Sequence, residues 1–360
     1  MNNKKIGIFF MVYYFNTKIL LQLLITYYKK QLNVKIEKSY ILKFIKFIIK
    51  MKLNLVLLFL FFFEIIPAQN TTFNSEDLSI QSSIQGTLLI PSNKNKIPLA
   101  IIIQGSGPTD RNGNQKNLKN NSLKYLAEGL YHKNIATFRY DKGFFKQVLD
   151  GTFDEREVDF NDFIKDAINV VNYFKDDQRF SELIIIGHSQ GSLVGMIAAQ
   201  EKSVSKFISL AGAGQEIDDV VIDQLKKQSP ALVENARKSF DDLRVNGLTQ
   251  NYSPFLAAIF RPSLQPFMIS WMNYDPQIEI AKLTIPVLII NGNNDLQVQV
   301  SEAEKLKNAK PDAKLVIIPN MNHLFKEIKD GLIENQKSYN DEDLPIMKKL
   351  IKTIKLFILK

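Results

Sequence analysis

Seven short apolar runs, at residues 86–90, 99–103, 135–140, 183–186, 206–210, 287–290 and 315–318, alternate with stretches of helical period, and no other feature narrows the possible folds so far. Helical spacing marks 123–132, 159–174, 192–200, 301–308 and a C-terminal stretch from about Leu344. In the second of these, Phe160, Phe163, Ile164, Ala167, Ile168, Val171 and Phe174 fall on one side, and acidic residues crowd the start, where the helix dipole favours them. Strands that alternate with helices demand a parallel sheet covered on both faces. The run 99–103 is apolar without alternation, as a strand buried on both faces must be. The alternation breaks between residues 215 and 282, where helical patterns at 217–225 and 231–243 lead into an aromatic, proline-punctuated run with no strand candidate. The predicted class is therefore α/β: a doubly wound, mostly parallel sheet with a helical cap inserted after the strand that ends at Leu210. Such an insertion lies at the carboxyl edge of the sheet, where these folds bind ligands. No internal repeat is present.

The chemistry begins at Gly187-His188-Ser189-Gln190-Gly191. Alone, G-x-S-x-G is common enough to arise by chance in a chain this long. Here it follows an apolar strand and opens a helix, the setting a nucleophile elbow demands. The turn is so tight that side chains at the two glycine positions would strike neighbouring backbone. A serine hydroxyl needs a base to accept its proton, and the chain holds three histidines. His188 adjoins Ser189, where successive side chains diverge, and His132 sits near the end of a surface helix. His323 follows the strand 315–318 by a short loop, at the sheet edge that carries Ser189, and is the expected base. The orienting acid should lie between serine and histidine in the chain and at a strand end. Asp295 meets both conditions, although the Asn-rich stretch 291–295 also reads as a simple turn before a helix.

Backbone donors for an oxyanion are expected from the N–H groups of Ser106 and Gln190, because the small residues of Gly105-Ser106-Gly107 after the buried strand 99–103 let an N–H approach substrate closely. A dinucleotide reading of the same loop fails, since Asp110 occupies the place of the third glycine and Pro108 removes a donor.

The formal charge of +9 could suggest nucleic acid, but its distribution argues otherwise. Eleven lysines against Glu37 and Glu64 put the whole +9 in the first 68 residues, and the remaining 35 basic and 35 acidic groups cancel. A neutral body has no electrostatic reason to bind a phosphate backbone, so no nucleic-acid partner is expected. Zero cysteines exclude disulfide frameworks, thiol nucleophiles and thiolate metal sites, and with three histidines no metal centre is expected. Met51 and Lys52 precede an apolar run at 53–63 and then Pro67-Ala68-Gln69. This reads as a signal peptide, residues 51–68, cleaved after Ala68, with 69–360 as the catalytic domain in a secreted or periplasmic location. The apolar run is short for a membrane span, which takes about 20 residues. No stable span is expected in the mature chain. Residues 1–50 read as upstream sequence translated from too early a start, with Met51 the true initiator. The alternative is a genuine extension whose apolar pieces at 6–15 and 41–49 lie on a membrane.

Taken together, IQGSGPTDRNG at 103–113, ATFRYDKG at 136–143, GHSQG at 187–191, IPVLIING at 285–292 with Asp295, and Asn322-His323 resemble the α/β-hydrolase superfamily, particularly its serine aminopeptidase-like and esterase-like branch, over residues 79–352. The sequence departs from many relatives at Gln104, where they carry histidine. Since the donor there is backbone, the oxyanion site should survive. The resemblance implies cofactor-free hydrolysis of esters, amides or thioesters, carried by Ser189, Asp295 and His323. The substrate is expected to be a small uncharged acyl ester. Phe255, Phe260, Phe267, Met268, Trp271 and Met272 crowd the cap and would make an apolar pocket, with Gly105, Phe267 and Trp271 touching substrate. A peptidase, amidase or thioesterase of the same fold is the alternative, and a non-catalytic binding protein a more distant one. An aminopeptidase would need a carboxylate for the substrate ammonium, and Glu216, Asp218, Asp219 and Asp223 are its candidates.

Overall fold

The computed structural model describes residues 73–92 and 95–360 and, before them, four exposed helical positions, Lys43, Phe47, Lys50 and Met51. Those positions aside, the expected extension, the signal segment and its cleavage point after Ala68 lie outside the described residues. The chain divides into two units, Met1–Thr71 and Thr72–Lys360, and the sheet belongs to the second.

Strands β1 (Ser75–Ile80), β2 (Ile84–Leu89), β3 (Ile97–Ile103), β4 (Ala136–Tyr140), β5 (Phe180–His188), β6 (Val204–Leu210), β7 (Val287–Gly292) and β8 (Lys314–Ile318) form one sheet in the order β1-β2-β4-β3-β5-β6-β7-β8. β2 runs antiparallel to β1 and β4, and every pairing from β4 across to β8 is parallel. The helices are α1 (Ser122–Tyr131), α2 (Phe144–Asp150), α3 (Phe160–Phe174) and α4 (Gln190–Ala198). Between β6 and β7 come α5 (Ile217–Gln228), α6 (Val233–Asn246), α7 (Ala257–Phe260), α8 (Gln265–Met272) and α9 (Pro276–Ala281), and after β7 come α10 (Val300–Ala309), α11 (Leu332–Ser338) and α12 (Lys348–Ile358).

Side chains alternate across each strand, and this sorts the core into two layers. Leu99, Ile101, Ile103, Ile185, Phe207 and Ile289 pack with the apolar stripe of α3 and with α4. Ala100, Ile102, Ile184, Ile186, Ile208 and Ile290 pack on the other face with Leu123, Leu126 and Leu130 of α1 and Leu350 and Ile354 of α12. The named side chains of both layers are buried, so each such Leu or Ile contributes roughly 1.5–3 kcal/mol of transfer free energy. Helix α3 starts where its acids suggest, with the Asp159 carboxylate accepting the Asn161 N–H at 2.7 Å. The segment between β6 and β7 consists of helices joined by loops, with a core of its own built on Phe240, Phe260 and Leu256.

Among the elements that the sequence reading did not name are one strand and two helices outside the insertion. β1 was not expected: it is an edge strand, SEDLSI, whose alternation is nearly all exposed to half-buried and which carries Glu76 and Asp77, as edges resisting aggregation do. Its turn into β2 passes through Gln81 and Ser82 at positive φ, without the Asn-Gly or Asp-Gly pair that signals a hairpin. α2 and α11 bury little apolar surface and so leave no stripe to read.

Candidate active site

Ser189 is the single residue between the end of β5 and the start of α4, with φ 54° and ψ −121°. A side-chain-bearing residue stays in that region only when its surroundings force it. The Ser189 N–H donates to the Leu210 carbonyl at 2.9 Å, tying the turn to β6. A Cβ at Gly187 would lie 2.2 Å from the Gly191 carbonyl oxygen, and one at Gly191 would lie 2.5 Å from the carbonyl oxygens of Ile103 and Gln104. Only glycine fits at either place.

Asp295 lies just beyond β7 and His323 just beyond β8, and the two meet: His323 Nδ1 is 2.8 Å from Asp295 Oδ2. A carboxylate only accepts, so the proton is on Nδ1 and a neutral ring keeps its lone pair on Nε2. The other carboxylate oxygen, Oδ1, accepts the N–H groups of Gln297 at 2.8 Å and Val298 at 2.9 Å, so the acid cannot turn away. The loop holding His323, 3% exposed, is pinned by Asn322. Its Oδ1 accepts the N–H groups of Leu324 and Lys326, and its Nδ2 donates to Asn335 and Ser338. Ser189 and His323 line one cavity of about 120 Å³ together with Gly105, Ser106 and His188. Among the described residues the Ser189 hydroxyl makes no hydrogen bond, to His323 included. In hydrolytic sites that bond commonly tightens only with substrate in place.

Two groups near this centre escaped the sequence reading. His188 does not face the serine proton as a base. Its Nε2–H donates to the His323 carbonyl at 3.0 Å, and its ring lies 4.8 Å from the rings of both His323 and Phe325. Burial, and then the neighbouring His323, hold its pKa well below the ordinary imidazole value, so it packs as a neutral ring against His323. Its adjacency to Ser189 in the chain concealed that contact. His132, by contrast, is exposed at the C-terminus of α1. The second group is Lys142, just after β4, buried with its Nζ 2.8 Å from the Gly105 carbonyl oxygen, 3.1 Å from that of Gly107 and 3.2 Å from Gln190 Oε1. The segment ATFRYDKG contains it, but nothing in the sequence says which way a lysine at a strand end will turn.

The loop at 104–108 approaches Ser189 closely: a Cβ at Gly105 would lie 3.2 Å from the Ser189 Cβ. Among the described residues neither the Ser106 nor the Gln190 N–H donates to a protein acceptor. Both residues, with Ser189, line a second cavity of about 390 Å³ beneath the helical insertion. Ile217, Val220, Val221, Leu225, Ile259, Leu264, Met268, Trp271 and Val298 supply its apolar wall, Gln215, Gln224, Gln228 and Gln297 its polar part, and among the described residues no charged side chain lines it. Trp271 lines this cavity and is stacked on Phe160 at 5.6 Å with an interplanar angle of 4°. Phe267, expected to touch substrate, is not among the residues lining the cavity and packs on Phe160 and Phe163 at 6.4 and 5.7 Å, joining the insertion to α3. Phe255 is 86% exposed, while Phe260 and Met272 belong to the insertion's own core.

The acids of α5 and its N-cap are engaged elsewhere. Glu216 pairs with Arg244, Asp218 with Arg237 and Arg244, Asp219 with Arg237, and Asp223 with Lys226. Among the described residues no group of three or more His, Asp or Glu could hold a metal ion, and no helix is long and apolar enough to cross a membrane.

No protein-family model matches the chain. It is 27% identical over 260 residues to the protein named esterase EstD of Thermotoga maritima, an alignment that covers 71% of this chain and 60% of that relative. The chain thus spans three fifths of that protein's length. Among solved structures, Est1E of Butyrivibrio proteoclasticus matches with a TM-score of 0.51 at 18% identity, covering 79% of this chain and 99% of that one. The same protein with ferulic acid bound gives 0.51 at 19% identity, with the same coverage. At those identities the likeness is one of fold.

Proposed function

We propose that this chain, whose fold is that of the α/β hydrolases, cleaves uncharged carboxylic esters through an acyl-enzyme on Ser189. The observation that carries the reading is the buried His323–Asp295 pair beside a serine held at φ 54°. Ser189 Oγ attacks the acyl carbon while His323 Nε2, whose lone pair the Asp295 contact leaves available, takes the proton. The negative charge on the carbonyl oxygen is met by the N–H groups of Ser106 and Gln190. His323 then returns its proton to the leaving alkoxide, and the alcohol departs. A water molecule, deprotonated by the same nitrogen, hydrolyses the acyl-enzyme and restores the serine. Asp295 stays ionised throughout and stabilises the imidazolium.

A wall of aliphatic side chains, Trp271 and neutral amides around about 390 Å³ suits a short or medium uncharged acyl group. The esterase name of the Thermotoga relative supports ester over amide as the bond cut. The position of Glu216, Asp218, Asp219 and Asp223 argues against an aminopeptidase, because each is paired with an arginine or lysine and none is among the residues lining the cavity of about 390 Å³. We also infer export of the chain, on the strength of its apolar run after Lys52.

A comparison of kcat/KM on short p-nitrophenyl esters and on aminoacyl arylamides tests the substrate class. The ester should be preferred by orders of magnitude. A clear preference for the arylamide, lost when Asp218 or Asp219 is neutralised, would overturn the esterase reading.

A further inference from the structure

We propose that Lys142 is a positioning residue of the oxyanion site, fixing and polarising the Gly105–Ser106 peptide group whose N–H meets the developing charge. The inference rests on the serine-hydrolase reading and deepens it. The Gly105 carbonyl and the Ser106 N–H belong to one peptide unit, and that unit is planar and trans. Holding the oxygen therefore aims the hydrogen the opposite way. Lys142 Nζ holds that oxygen at 2.8 Å, and also the Gly107 carbonyl oxygen at 3.1 Å, so the backbone is tied on both sides of Ser106. Its third hydrogen reaches Gln190 Oε1 at 3.2 Å, on the residue that supplies the second donor. One ammonium thus spans both halves of the oxyanion site.

Position and charge both count. A cation on a carbonyl oxygen draws electron density through the amide and strengthens its N–H as a donor. The positive charge also lies on the far side of the peptide from the oxyanion, where it lowers the energy of the tetrahedral intermediate more than that of the neutral ester. A purely structural role accounts poorly for the arrangement. Among the described residues Lys142 forms no ion pair, it is 5% exposed, and its one other partner is the Phe163 ring, 4.7 Å away. A buried cation without a carboxylate is unfavourable, and an apolar side chain would fill the space more stably. Burial pulls the Lys142 pKa down to about 7, so the ammonium is fully formed on the acid side of neutrality. The lysine is itself held by its neighbour: Asp141 takes Arg111 Nε and Nη2 at 2.9 and 2.7 Å and the Arg111 N–H at 2.7 Å, which locks the end of β4 to the same loop.

The test compares wild type with Lys142→Met and Lys142→Gln on a p-nitrophenyl ester and on a trifluoromethyl ketone, which becomes an oxyanion only after Ser189 adds to it. Lys142→Met should lower kcat about ten- to a hundredfold, less than the hundred- to thousandfold of deleting a donor outright, and weaken ketone binding by a similar factor. KM should move by less than about threefold. Lys142→Gln, which keeps two hydrogens but no charge, should recover part of the loss and carries the comparison if the methionine variant does not fold. Unchanged kcat in either folded variant, or a loss of kcat without a matching loss of ketone affinity, would overturn the positioning role. A wild-type protein that neither turns over the ester nor binds the ketone would overturn the serine-hydrolase reading, and this inference with it.

Discussion

Asp295 divides its two oxygens between separate tasks, one on the backbone at Gln297 and Val298 and one on His323, and that division makes Asp295→Asn an informative change. The amide oxygen can keep the backbone bonds. Its NH2 then faces Nδ1 and drives the imidazole proton to Nε2, where the base needs a lone pair. Turnover should fall by about 10⁴ with the fold intact, and retention of most activity would point to another acid. Asp166 tests the electrostatics beneath the site. Burial raises its carboxyl to about 6, against a Gly143 N–H at 2.9 Å that favours the ionised form. Between the ordinary 3.8 and about 6 the folded state binds the proton that the unfolded state has lost, so stability from this group falls as pH rises through that window. Asp166→Asn should therefore stabilise the protein by about 1–3 kcal/mol at pH 8, and the gain should fade as pH drops toward 4. Urea unfolding at the two pH values measures it, and an equal effect at both would contradict the assignment.

At the scale of elements, the strands that bury both faces were legible and the edge was not. The unbroken run within β3 and the apolar end of β5 need no context, whereas β1 presents acids to solvent and turns without glycine. Short helices such as α2 bury no side chain and leave the sequence without a period. The expected C-terminal helix begins four residues later than its apolar period suggested, at Lys348. Helix α8 shows a different limit. Sequence spacing places Phe267 and Trp271 one turn apart on the same face, and both reach α3, but Phe163 takes Phe267 while Trp271 stays at the cavity wall. This yields a paired prediction. Phe267→Ala should destabilise the protein by less than the roughly 3–5 kcal/mol of a fully buried phenylalanine, since its ring is half-buried, and leave the preferred acyl length unchanged. Trp271→Ala should shift preference toward longer acyl chains by enlarging the cavity that it lines. A change of chain-length preference in the Phe267 variant would contradict the placement.

Across the whole molecule, the site is gathered from the carboxyl ends of β3, β4, β5, β7 and β8, which is why chain order and strand ends were enough to nominate Ser189, Asp295 and His323. Lys142 and His188 were out of reach because their roles depend on side-chain direction, which adjacency in the chain does not carry. The charge asymmetry belongs to the same scale: a neutral body follows a basic, apolar first 68 residues. Expressed from Met51 in a secreting bacterium, the protein should be recovered outside the cytoplasm with an N-terminus at or near Gln69, and an intact Met51 on the exported chain would refute the cleavage. The central claim, that Ser189 is a nucleophile activated by its surroundings, is tested most directly by covalent labelling with a fluorophosphonate followed by peptide mass spectrometry. Wild type should carry one label, on Ser189, and Ser189→Ala should unfold as cooperatively as wild type yet take up none. Undiminished labelling of the alanine variant would contradict the account.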